Sequence, residues 1–263
     1  MLNESGTLAI DDRVAEQLHA PDTPDQVAGI LKNASDARSS VVPLGGATML
    51  ELGSPLERAD LVISLKNLDR VLDYQPANLT VRAEAGLTLG ALNQILAAEG
   101  QYLPLDPPCP DRATLGGILS ANASGPLRVR YGTARDLLIG IRVALSDGQI
   151  VRGGGQVVKN VAGYDLPKLF VGSLGTLGII VEATFKVAPL PKVTGTVLAS
   201  FHELEHACKV ASRVLMSPLL PLSIEVLSAG MREQFGESHG PFLAVRFGGI
   251  ESEITRQLND VYR

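Results

Sequence analysis

The feature that most constrains this chain is the placement of glycine between Leu103 and Pro189. Three segments follow one another: L-P-L-D-P-P-C-P-D-R-A-T-L-G-G-I-L-S-A-N-A-S-G, then R-Y-G-T-A-R-D-L-L-I-G, then K-N-V-A-G-Y-D-L-P-K-L-F-V-G-S-L-G-T-L-G-I-I-V-E-A. Glycine at this density between apolar residues lets backbone amides come close to a ligand that side chains would hold away. Segments of this kind wrap something large, flat and phosphorylated.

The rest of the chain supplies an ordinary core. Hydrophobic residues make up 45% of the 263, which excludes a disordered polar segment. A formal charge of −5 argues against a nucleic-acid partner. Cys109 and Cys208 stand far apart, so no disulfide framework is expected and a reducing compartment fits. The N-terminus lacks a basic region followed by an apolar run, and Arg142 and Asp147 interrupt the best apolar stretch. The expectation is a cytoplasmic protein with no transmembrane segment, compatible with peripheral association with a membrane complex.

Periodicity places the elements. Thr23-Pro24 opens a helix with Val27, Ile30, Leu31 and Ala34 on one face. Strands are expected at 41–44, 61–65 and 80–85. Thr88 caps a helix with the face Leu89, Leu92, Ile95 and Leu96, which Gly100 stops. Ser146-Asp147-Gly148 marks a hairpin between 137–145 and 149–152, and 178–187 reads as a long strand. Pro189 and Pro191 mark a linker, followed by a strand at 194–200, a helix at 203–216 and a strand at 223–227. The reading is a mixed α+β chain with a main domain over 1–190 and a second over 191–263.

Three motifs carry the chemistry. Val41-Val42-Pro43-Leu44-Gly45-Gly46-Ala47-Thr48 is a strand entering a glycine turn, whose successive N–H groups can form an anion nest. It is neither a Walker loop nor a G-x-G-x-x-G fingerprint. Thr114-Leu115-Gly116-Gly117 and Asn122-Ala123-Ser124-Gly125 bracket a short helix whose N-terminus would offer free amides to a second phosphate. Gly172, Gly175 and Gly178 recur at spacing three ahead of Ile179-Ile180-Val181.

On these residues the chain resembles the FAD-binding domain of the vanillyl-alcohol oxidase type, also called the PCMH type. Within it, the likeness is to the FAD-binding subunit of bacterial glycolate oxidase, a relative of D-lactate dehydrogenases. It covers 20–190 well, and the run from Lys159 to Ile180 is its most specific part. The resemblance implies a two-lobed α+β domain clamping FAD, followed by a partial α+β cap domain within which Arg263 falls. It implies a pyrophosphate seat at Pro43, Gly45, Gly46, Ala47 and Thr48. It also implies that Pro107, Thr114, Gly117, Asn122, Ser124, Gly125 and Gly132 line the ribityl chain and flavin ring. Gly178 and Ile180 would close over the adenine end. The implied activity is oxidation of a 2-hydroxy acid such as glycolate, with electrons passed to other subunits of a complex. A self-sufficient D-lactate-type dehydrogenase and a non-catalytic FAD-binding scaffold are the alternatives.

The chain departs from the family pattern at Ala47, where glycine is usual, and at Leu174, where an acidic residue is usual. Ala47 raises a steric question if that position needs positive φ. No residue stands out as a catalytic base. None of His19, His202, His206 and His239 falls in a flavin-facing motif, and Cys109 reads as a free thiol. His202-Glu203-Leu204-Glu205-His206 matches H-E-x-x-H, with Glu225 a conceivable third ligand. It sits at a helix start, where its acids suit the dipole, and no metal is assigned. Arg128, Arg130, Arg135 and Arg142 form the local basic cluster, read as a solvated face or an attraction for an anion.

Overall fold

Thr23 starts the first helix in the expected way: its hydroxyl accepts from the Gln26 N–H at 3.3 Å, and Pro24 occupies the first turn. The computed structural model describes residues 9–10, 13–155, 166–228 and 240–261. The opening strands are β1 (Ala9–Ile10), β2 (Arg13–Val14) and β3 (Gln17–His19). Next come α1 (Pro24–Asp36), β4 (Val41–Leu44), β5 (Leu61–Ser64), β6 (Val71–Gln75) and β7 (Thr80–Glu84). They are followed by α2 (Leu89–Ala97), β8 (Gln101–Tyr102), α3 (Leu115–Ala121), α4 (Arg128–Tyr131) and α5 (Ala134–Leu137). The hairpin strands β9 (Leu138–Ala144) and β10 (Ile150–Gly154) precede α6 (Leu166–Phe170), β11 (Ile179–Lys186) and β12 (Ala188–Pro189). The last described elements are β13 (Val193–Ser200), α7 (Leu204–Met216), β14 (Ser223–Leu227), β15 (Phe242–Gly249) and α8 (Glu251–Val261).

The chain divides into two compact units. The first holds the described residues through Ser124 together with Thr133–Pro189. Its β3, β4 and β5 form a parallel sheet of order β3-β5-β4. A larger antiparallel sheet has the order β10-β9-β11-β7-β6. Central β11, the expected long strand, is buried from Ile179 through Phe185 in a continuous run that includes Glu182 and Thr184. Val27 and Leu31 of α1, Leu92 and Leu96 of α2, and Leu115 and Leu119 of α3 enter one core with Phe185. Each large apolar side chain buried in this way contributes about 1.5–3 kcal/mol. Ile95 departs from the expected face of α2: it is 45% exposed, because the inward stripe runs through 89, 92 and 96. Gly100 stops α2 with φ +64.

The second unit comprises Gly125–Gly132 and the residues from Leu190 onward. Its antiparallel sheet has the order β13-β15-β14, with Ser200 opposite Phe242 and Ser223 opposite Arg246. Ala211 and Val214 of α7 and Ile254 of α8 pack with Leu243, Val245 and Phe247 of β15. The chain is therefore mixed α+β, as its sequence reads. Among the described residues no helix is long and apolar enough to cross a membrane.

Candidate functional site

A cleft of about 190 Å³ opens in the first unit where β4 ends. Pro43, Gly45, Gly46, Ala47 and Thr48 form one wall; Thr114 and Gly117 of the α3 start, and Gly178 and Ile180 at the head of β11, form the others. Nine of the sequence-derived candidates thus meet. Pro107 is buried in the proline corner, and Asn122 and Ser124 follow α3, none of the three lining this cleft. Gly125 and Gly132 belong to the second unit, at either end of the segment carrying α4. Lys159 to Asp165 of the most specific motif, and His239, lie outside the described residues.

The amides decide where an anion can sit. Among the described residues, the N–H groups of Gly45, Gly46, Ala47 and Thr48 donate to no protein acceptor. Ala47 has φ +55, the left-handed conformation that turns successive N–H groups toward one side. The start of α3 behaves oppositely, which corrects the expectation of free amides there. Leu115 N–H donates to the Leu87 carbonyl at 2.9 Å and Gly116 N–H to the Ala85 carbonyl at 2.8 Å. Gly117 N–H donates to Thr114 Oγ1 at 3.3 Å. The first turn of α3 is sealed by the strand end before α2 and by its own cap, so it has no amide left for a phosphate.

The glycines of the first loop are explained by close protein contacts. A Cβ on Gly46 would overlap the Arg112 carbonyl, 2.6 Å from its carbon, and one on Gly45 would overlap Thr114 Oγ1. The proline corner therefore lies directly behind the loop. Gly172, Gly175 and Gly178 have φ of +80, +78 and +150, and a Cβ on Gly175 would stand 2.6 Å from Pro43 Cγ. Ala47 and Leu174, the two departures from the family pattern, both sit at positive φ, +55 and +52, and both line the cleft. Each carries a strain that glycine would not.

Sequence reasoning missed the apolar floor. Met49, Leu50, Leu52 and Leu65 line the cleft, and Leu50 packs on Ile10 and Val62. The signal was present in M-L-E-L directly after the glycine loop. The remaining candidates lie elsewhere. His202 precedes α7, and His206 Nδ1 is 3.8 Å from Glu203 Oε2 on an exposed surface. Exposed Cys109 has φ +53 in the proline corner and does not line the cleft. The basic run disperses: Arg128 and Arg130 ride on α4 of the second unit, Arg135 on α5 and Arg142 on β9.

A family model described as an FAD binding domain matches residues 15–154. This chain belongs to that family. The FAD-binding domain identified here is 35% identical over 208 residues to glycolate oxidase subunit GlcD of Bacillus subtilis, covering 79% of this chain and 44% of that protein. It is 31% identical over 243 residues to the mitochondrial D-lactate dehydrogenase [cytochrome] of Arabidopsis thaliana, covering 90% of this chain and 42% of that one. Glycolate oxidase subunit GlcE of Escherichia coli is 35% identical over 174 residues, covering 65% of this chain and 49% of the subunit. The chain spans about half the length of the curated relatives it matches. Among solved structures, an alkyldihydroxyacetonephosphate synthase shares the fold, with a TM-score of 0.78 at 22% identity over 93% of this chain and 52% of that one.

The residues present fit FAD at its phosphates. A loop with free, convergent amides, backed by the proline corner and bordered by an apolar floor, suits a pyrophosphate flanked by a flat ring. At about 190 Å³ the cleft is smaller than the roughly 300–1,000 Å³ that encloses a drug-sized ligand, so it has room for only part of a dinucleotide.

Proposed function

We propose that this chain is the flavin-bearing part of an oxidoreductase acting on 2-hydroxy acids, glycolate being the favoured substrate, and that it hands electrons to partner subunits. The observation that carries the reading is the run of unpaired amides from Gly45 to Thr48 in a cleft that glycine and apolar residues keep open. Likeness to two glycolate oxidase subunits supports the substrate class and the place in a complex.

In this reading Gly45, Gly46, Ala47 and Thr48 hold the pyrophosphate by backbone donation. Ile180 and Gly178 border the adenine end, and Leu50 and Met49 exclude water from it. Thr114 keeps the loop and α3 in register, since its Oγ1 both caps the helix and abuts Gly45. Bound FAD supplies the acceptor for the hydride equivalent that leaves the substrate α-carbon.

A visible spectrum of the purified protein tests the first step: flavin bands at one equivalent are expected. Bleaching by glycolate, increased when partner subunits are added, supports the subunit reading. Full dye-linked turnover by the chain alone, with D-lactate preferred, would establish the self-sufficient dehydrogenase instead. That second reading is favoured by the 90% coverage of this chain in the D-lactate dehydrogenase match. Flavin bands that no 2-hydroxy acid bleaches, with or without partners, would refute both and leave a scaffold.

A further inference from the structure

Three arginines of the larger sheet meet around a single carboxylate. Arg82 on β7, Arg142 on β9 and Arg152 on β10 share a face with Glu182 and Thr184 of β11: Arg152 stands opposite Arg142, Glu182 opposite Arg142, and Thr184 opposite Arg82. Glu182 is 5% exposed. Arg82 Nη1 donates to its Oε2 at 3.2 Å, and Arg142 Nη1 pairs with its Oε1. Arg152 makes no ion pair among the described residues.

The donors outnumber what Glu182 can accept. In the same sheet Arg70 shows a saturated pair, its Nε donating to Glu84 Oε2 at 3.1 Å and its Nη2 to Oε1 at 2.8 Å. Arg82 and Arg142 each commit one Nη, and the Nε of each is buried with no acceptor. Buried donors without partners are rare in native structures, and here one lies on each side of β11. Among the described residues that line the hollow on this face, three guanidinium groups stand against one carboxylate, while Glu84, opposite Glu182, is taken up by Arg70. Asp73, opposite Arg82 on β6, does not line it and accepts instead from Gln75 Nε2 at 2.9 Å. The face is also concave. Arg82, Arg142, Arg152, Glu182, Thr184 and a run of glycines at 153–155 line a cavity of about 270 Å³. A water molecule takes about 30 Å³ of liquid, so the cavity admits a small ion with part of its hydration shell.

We propose that this cavity is a binding site for a small oxyanion, a carboxylate or phosphate group, held by Arg152 and by the Nη2 groups of Arg82 and Arg142, which Glu182 does not engage. Guanidinium forks suit such groups because paired N–H donors match paired oxygens. Glu182 sets the orientation of two forks and reduces the charge, so the site would hold a monoanion in exchange with solvent. It is separate from the amide loop at Gly45–Thr48 and does not depend on the flavin reading.

Calorimetric titration of the FAD-saturated chain with inorganic phosphate, at ionic strength fixed by chloride, tests this, and flavin absorbance records FAD content in the same sample. One saturable site is expected. Arg152→Gln, which breaks no ion pair, should weaken it at least tenfold while FAD content and melting temperature stay unchanged. Glu182→Gln, where it folds, should tighten it. Acetate in place of phosphate separates the sources: tighter acetate assigns a carboxylate ligand, tighter phosphate a phosphate. Absence of saturable binding by either ion, or a site indifferent to Arg152→Gln, would overturn the proposal whether or not FAD binds.

Discussion

Replacing Gly46 by alanine tests the geometry of the first loop. The added methyl would overlap the Arg112 carbonyl oxygen and lie 2.6 Å from its carbon, whereas unbonded carbons rest about 3.5–4.0 Å apart, so loop and corner must separate by more than about 1 Å. The corner resists. Arg112 N–H and Ala113 N–H both donate to the Cys109 carbonyl, at 2.9 and 2.8 Å, and the Ala113 carbonyl accepts from Leu89 N–H at 3.0 Å. The loop, whose amides have no protein acceptor, therefore moves instead. Overpacking of this kind costs about 1–3 kcal/mol. If the displacement spoils the amide cradle by that amount, FAD affinity falls about 5- to 150-fold, at roughly 1.4 kcal/mol per factor of ten. The assay is fluorescence titration of the apo-protein with FAD, alongside thermal melting. Gly29→Ala is the control: a Cβ there meets nothing within 4 Å on α1, and alanine should stabilise the helix by up to about 1 kcal/mol. Affinity within about twofold of the parent, with an unchanged melting temperature, would refute the backing of the loop by the proline corner.

Ala47→Gly should act in the opposite direction. It relieves about 1–2 kcal/mol of left-handed strain at φ +55 against a backbone-entropy cost of about 0.5–1 kcal/mol, so a melting temperature that fell instead of rising by a few degrees would contradict the conformation. Arg70→Ala leaves the Glu84 carboxylate, 1% exposed, without its cationic partner, so the urea unfolding midpoint should fall, with Arg70→Lys lowering it less. Asp136 is held below the usual carboxylate value of 3.8, first by the Thr133 N–H at 2.8 Å and then by the Thr133 hydroxyl at 2.9 Å, with burial opposing. A carboxylate depressed by folding stabilises above its unfolded value and ceases to as pH falls through the folded one, so the urea midpoints of parent and Asp136→Asn should converge below about pH 4.

What was legible in the sequence was what the local backbone dictates. Thr23, Thr88 and Thr114 each cap the helix that follows, because an N-cap acts over three residues and needs no distant partner. Gly172, Gly175 and Gly178, noted in the sequence only for their spacing, take positive φ. The first loop was readable as a cradle because β4 ends at Leu44 and the following amides leave the ladder with it. The start of α3 misled because Leu115 and Gly116 donate to carbonyls at Leu87 and Ala85, far upstream in the chain, and no spacing rule reports that acceptor. The arginines show the same limit. Arg128, Arg130, Arg135 and Arg142 are neighbours only along the chain, while Arg82, Arg142 and Arg152 are neighbours because the register of β7, β9 and β10 around β11 sets them on one face. A charge cluster acquires chemical meaning only once strand order is known. In this sheet that order collects three cations around one buried acid, which is why the phosphate titration, and not the basic run along the chain, is the informative experiment.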